Sequence, residues 1–97
     1  MFDRILKKIQ ERIGARQYVM TLHAEEEMDD DGLAITDIEN IILIGKIIER
    51  QKDSVTSESK YLIKGRTWAG DEVIVVTKLG PTGKLIIITV YRTGEHR

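Results

Sequence analysis

The sequence predicts an α+β domain in which N-terminal helices pack on one face of a four-stranded antiparallel sheet. Three observations carry this expectation. Apolar residues recur at three- and four-residue spacing as far as Ile44, and after Gly45 they gather into short β-type runs. The connections between those runs are too short to hold a crossover helix, so neighbouring strands should be antiparallel and form a meander. With 97 residues, 41% of them hydrophobic and 32% charged, the composition is that of a single folded domain and not of a disordered segment.

Residues 2–16 read as the first helix, because Phe2, Ile5, Leu6, Ile9 and Ile13 form one apolar stripe with Lys, Arg and Gln between them. Such a stripe can address a membrane surface, but its default use is packing on its own domain or on a second copy. Tyr18-Val19-Met20 is too short to read beyond an extended link. Thr21 is placed to cap a second helix, with Glu25 to Glu27 in the first turns, where the helix dipole favours negative charge. Gly32 supplies its stop. Thr36-Asp37-Ile38-Glu39 has the form of a capping box opening a third helix, which should bury Ile38, Ile41, Ile42 and Ile44 and end at Gly45.

The strands follow as Lys46 to Arg50, Tyr61 to Ile63, Val73 to Val76 and Leu85 to Tyr91, with Gly80-Pro81-Thr82-Gly83 as a turn. Strict alternation along the last strand would place Ile86, Ile88 and Val90 on one face and Leu85, Ile87, Thr89 and Tyr91 on the other. Both of the last two strands are apolar on both faces, so either the first helix covers the second face or a second copy does, and a homodimer is expected. The domain divides into an N-terminal amphipathic helix (1–17), a core (18–92) and a loose tail (93–97).

Composition also excludes chemistry. No cysteine is present, which removes disulfides, thiolate metal sites and thiol nucleophiles, and two histidines are too few for a structural zinc site; no metal or cofactor is expected. The N-terminus lacks the apolar stretch of a secretory signal and no run approaches a membrane span, so a cytoplasmic protein without membrane contact is expected. The formal net charge of −1 conceals an uneven distribution. Residues 1–20 balance at +3, residues 21–40 at −8 with no Lys or Arg, and the remainder at +4.

His23 is the leading candidate for chemistry. It precedes Glu27 by one helical turn, a spacing that stacks the two side chains and lets a carboxylate tune an imidazole as acid or base. The plainer role is a cap or packing contact at a helix start. Thr89, Tyr91 and Arg92 on the last strand could hold a phosphate, or simply pack across strands. The acidic run Glu25 to Asp31 lacks the alternating ligands and central Gly of a calcium loop; it reads as a solvated face or a patch for a basic partner. Lys60, Lys64, Arg66, Lys78, Lys84 and Arg92 give the C-terminal half a basic excess that would suit nucleic acid, with Trp68 as a stacking candidate.

Several of these pieces occur in one order: Thr21-Leu22-His23-Ala24 with Glu26 and Met28, Gly32-Leu33, Asp37-Ile38-Glu39, Gly45-Lys46-Ile47-Ile48-Glu49, Tyr61-Leu62, Val73 to Val76 and Ile87-Ile88-Thr89-Val90-Tyr91. The series resembles a small prokaryotic domain-of-unknown-function family with an HAxERM, RGI, D-[IV]-E, G-x-I-I-E and IITVY pattern, over roughly residues 18–92. That family is similar in fold to RelE/ParE-type toxins and other small metal-independent ribonucleases. The resemblance implies an RNA-cleaving site with His23 as general acid or base, Thr89 and Tyr91 orienting the phosphate, and Lys64, Arg66 and Arg92 neutralising it. It also implies RNA or an antitoxin-like protein as partner. The chain departs from the pattern at Glu27 and Asp31, where the family has Arg. Two anions in place of two cations beside His23 should repel a phosphodiester, which leaves a non-catalytic interaction module using the acidic helix as the alternative.

Overall fold

A computed structural model describes residues 1–94. Its elements run α1 (Asp3–Gly14), β1 (Tyr18–Met20), α2 (Leu22–Asp30), α3 (Ile35–Ile44), β2 (Lys46–Lys52), β3 (Ser59–Arg66), β4 (Glu72–Leu79) and β5 (Leu85–Arg92). The α+β class and the antiparallel meander of the last strands are as expected. The sheet is not: it has five strands in the order β1-β5-β4-β3-β2, and β1 runs parallel to β5. The segment read as a link is therefore a strand. It is three residues long and pairs Tyr18 to Met20 with Leu85 to Ile87, a partner that only the folded chain brings near.

One face of the sheet carries Ile63, Val73, Val75, Leu85, Ile87 and Val90 into a single core with Ile9 and Ile13 of α1 and Ile38, Ile41 and Ile42 of α3. Helix α1 thus joins the same layer as α3 and does not cover the second face. Polar contacts fix it there. Gln10 Nε2 donates to the carbonyls of Ile42 (3.2 Å) and Leu43 (3.0 Å), free acceptors in the last turn of α3, and Arg12 Nε donates to Gly83 O in the β4–β5 turn (2.7 Å). Ile44, expected in the core, is exposed. Six residues after Ile38 it has turned about 240° around the helix, away from the buried stripe.

Thr21 caps α2 as the sequence suggests, its hydroxyl accepting from Ala24 N at 3.1 Å, and Gly32 ends the helix with φ +67°. The start of α3 differs from expectation. Ala34 occupies the N-cap and Asp37 Oδ2 accepts from its N–H at 2.9 Å, so Thr36 lies inside the helix. Glu39 is drawn elsewhere: the Tyr18 hydroxyl donates to its Oε2 at 2.5 Å and Arg16 lies 3.6 Å from the same oxygen. Burial, the hydrogen bond to Glu39 and the charge of Glu39 push the Tyr18 phenol up to about 12.

The alternation along β5 is broken. Val76 pairs with Thr89 but Thr77 pairs with Ile87, so Ile88 is an extra residue. Leu85, Ile87 and Val90 consequently all face the core, and Thr89 and Tyr91 fall on the opposite, open face, contrary to the grouping expected from an unbroken pleat. On that open face the central Leu62 and Ile74 are already covered, at 6% and 7% exposure, while Val19, Ile48 and Tyr91 remain exposed. Of the expected loose tail, Thr93 is tied to Glu72 by backbone and hydroxyl, and residues 95–97 lie outside the described part. No helix of the described residues is long and apolar enough to cross a membrane.

Candidate functional site

Beyond Met20, α2 replaces β1 alongside β5. The junction is held by three contacts to the bulged stretch of that strand. Thr21 N donates to Ile87 O (3.0 Å), Thr21 Oγ1 donates to Ile88 O (3.0 Å), and Glu27 Oε1 accepts from Val90 N (3.1 Å). β1 ends at Met20, opposite Ile87, so no strand meets Val90 N–H on this side, and the half-buried carboxylate supplies its partner.

His23 lies one turn before Glu27, with Nε2 3.3 Å from the oxygen that Val90 also uses. The imidazole is 64% exposed. Glu27, Asp30, Asp31, Val90 and Tyr91 line a shallow concavity of about 240 Å³ at this edge. Glu25, Glu26, Asp29 and Asp30 are exposed on the same helix, and their side chains have no cationic partner among the described residues. No group of three His, Asp or Glu side chains among the described residues is arranged to hold a metal ion. What the concavity offers chemically is hydrogen-bond acceptance and negative potential.

The structure brings only part of the anticipated site together. Tyr91 and Glu27 share the concavity, and His23 touches Glu27, but among the described residues no hydrogen bond joins His23 to Thr89 or Tyr91. Thr89 and Tyr91 do share the open face with Lys64, which lies in one row with Ile74 and Tyr91 across β3, β4 and β5. The cations named for phosphate are already engaged. Lys64 and Arg66 lie 3.6 and 3.9 Å from Glu72 Oε2, and Arg92 is paired with Asp71 and donates to Asp31 O at 2.6 Å. A hydrogen bond from Thr93, helped by Lys64 and Arg66, holds the Glu72 carboxyl below its ordinary range, as expected for a carboxylate bound in its charged form.

Sequence reasoning missed the structural use of Glu27. Its signal was present in the acidic run, but the end of β1 opposite Ile87, which leaves Val90 N–H open, has no mark in a strand of continuous apolar residues. It also missed Lys46, which lies directly opposite Lys64 and lines a cavity of about 400 Å³ with Lys64, Arg66 and Glu72.

These features define a small α+β domain: three helices, a mixed sheet with one covered face, and an acidic helix clamped to a bulged edge. The chain belongs to the family described as Domain of unknown function (DUF4258), which matches residues 20–92. No curated protein and no solved structure matches it significantly.

Proposed function

We propose that the protein is a non-catalytic interaction module on a scaffold resembling the toxin-type ribonucleases, and that α2 presents its carboxylates to a basic protein surface, such as that of an antitoxin-like partner. One observation carries this reading: the concavity beside His23 is lined by Glu27, Asp30 and Asp31, while Lys64, Arg66 and Arg92 are each paired to a carboxylate. A phosphodiester entering there meets like charge and no free guanidinium among those residues, and transition-state charge on phosphorus lacks a stabilising donor. A basic peptide meets complementary charge, which favours encounter and specificity.

The test is binding of an arginine-rich peptide to the full chain at low and at physiological salt. Neutralising Glu25, Glu26, Asp29 and Asp30 together should weaken binding about tenfold or more at low salt. Neutralising Asp3, Glu11, Glu49 and Glu58 instead controls for net charge. Equal losses from both sets would remove α2 as the docking face.

A second reading, a metal-independent ribonuclease, is favoured by Thr89, Tyr91 and Lys64 sharing the open face and by the exposure of His23. RNA cleavage by the wild-type protein that disappears in His23→Ala would replace the first reading with this one. Self-association through the open face and a cytoplasmic location accompany either reading as proposals.

A further inference from the structure

At the β2 edge of the sheet, the first turn of α1 closes over a cavity of about 470 Å³ lined by Met1, Phe2, Arg4, Ile5, Arg50 and Tyr61. The Phe2 and Tyr61 rings form its apolar wall, meeting edge-to-face with centroids 6.5 Å apart and planes at 77°. Arg4 and Arg50 supply its charge, and no carboxylate lines it.

Arg50 reaches this place through a second bulge. Ile47 pairs with Ile63 and Glu49 with Leu62, so Ile48 is the extra residue. Unbroken alternation from Ile47 would turn Glu49 toward the helices and Arg50 toward the open face. The bulge exchanges them, setting Arg50 opposite Tyr61 on the helix side. A one-residue slip thus puts a guanidinium where a carboxylate would stand.

The other arginines of the described chain are engaged. Arg12 donates to Gly83 O, Arg16 pairs with Glu39, Arg66 reaches Gly70 O and Glu72, and Arg92 pairs with Asp71. Among the described residues, Arg4 and Arg50 alone of the arginines have no hydrogen-bonding or ionic partner, and both face one cavity. Two unpaired guanidiniums suit the fork geometry of a phosphate, and a flat group suits the aromatic wall. The volume falls within the range of small-molecule sites.

We propose that this cavity binds a small organic phosphate carrying a flat apolar ring, with Arg4 and Arg50 taking the phosphate oxygens and Phe2 and Tyr61 the ring. The site is independent of the acidic helix and of either reading of it.

Calorimetric titration of the full chain with phenyl phosphate and with 5′-AMP tests the site, with inorganic phosphate and adenosine as the separated halves. Saturable binding of at least one ring-bearing phosphate is expected, and the tighter of the two identifies the kind of ring. Arg4→Gln and Arg50→Gln should each weaken it about tenfold, and Lys52→Gln, an equal charge change on the same strand outside the cavity, less than about twofold. Circular dichroism checks that each variant is folded; both arginines are exposed, so the fold should be unaffected. Absence of saturable binding by either ring-bearing phosphate up to about 1 mM, a loss in Lys52→Gln equal to that in Arg50→Gln, or equal affinity for inorganic phosphate would each overturn the proposal.

Discussion

Replacing Thr21 with Val removes one hydroxyl and keeps the side chain's volume and branching, and that hydroxyl makes two bonds. As acceptor it caps α2 through Ala24 N at 3.1 Å, and as donor it holds the Ile88 carbonyl at 3.0 Å on the bulged strand. Loss of a threonine cap costs about 1 kcal/mol. Loss of an ordinary hydrogen bond, with the Ile88 carbonyl left half-satisfied at a partly buried position, costs about another 1 kcal/mol. The sum of about 2 kcal/mol corresponds to a fall of about 10 °C in Tm for a domain of this size. Urea unfolding followed by circular dichroism measures it as a shift in midpoint with unchanged slope. Thr21→Ser restores both bonds and should recover most of the loss. A Val variant within about 0.5 kcal/mol of wild type, or a Ser variant as weak as Val, would refute the assignment of this hydroxyl as the pin between α2 and β5.

Other perturbations test the remaining parts of the frame. A Cβ at Gly45 would sit 2.6 Å from the Lys64 carbonyl oxygen and nearer still to that of Ile41, both of them backbone, so Gly45→Ala should cost more than about 2 kcal/mol in urea unfolding. Ile41→Ala should cost about 3 kcal/mol, whereas Ile44→Ala, three residues on but exposed, should cost less than about 1 kcal/mol; the same unfolding assay compares them. Tyr18 is favoured in its protonated form by the fold, with its pKa raised from 10.0 to about 12. Its contribution is therefore complete below the unfolded value and is lost as pH rises from about 10 through 12, a decline that Tyr18→Phe should flatten in alkaline unfolding curves.

Local signals in the sequence carried the elements that depend on local physics. Thr21 before an acidic turn, Gly32 after it, and the stripe of Ile5, Ile9 and Ile13 need no distant partner to be read. The elements that escaped depend on long-range pairing. Tyr18–Met20 has the length of a linker and becomes a strand because β5, more than sixty residues away, offers a parallel ladder. The capping box at Thr36 and Glu39 fits a local rule, but the Tyr18 hydroxyl and Arg16 claim Glu39, and the helix opens two residues earlier on Asp37. Most consequential for the candidate site is Ile88. In a run of Leu85 to Val90 every residue suits either face, so nothing in the pattern marks which one is extra, and the error moves Thr89 and Tyr91 across the sheet.

Glu27 links that bulged strand to the candidate site. Its Oε1 accepts from Val90 N and also lies 3.3 Å from His23, so one carboxylate oxygen serves the fold and the imidazole together. The two contacts differ in consequence. An exposed His–Glu pair at this spacing contributes at most about 0.5 kcal/mol, whereas removing the acceptor from Val90 N–H costs about 1–3 kcal/mol. His23→Ala therefore interrogates chemistry without disturbing the frame, and Glu27→Ala cannot. Glu27→Gln separates the roles, because its amide oxygen still accepts from Val90 while the negative charge is gone. Combined with Asp31→Asn, it reduces the repulsion facing a phosphodiester by two charges and leaves the exposed carboxylates of α2 in place. If those two anions alone suppress an RNA-cleaving site, the double variant should gain cleavage that His23→Ala abolishes. If α2 is a docking face on a scaffold without catalytic geometry, the variant should stay inert toward RNA and retain most of its affinity for the arginine-rich peptide.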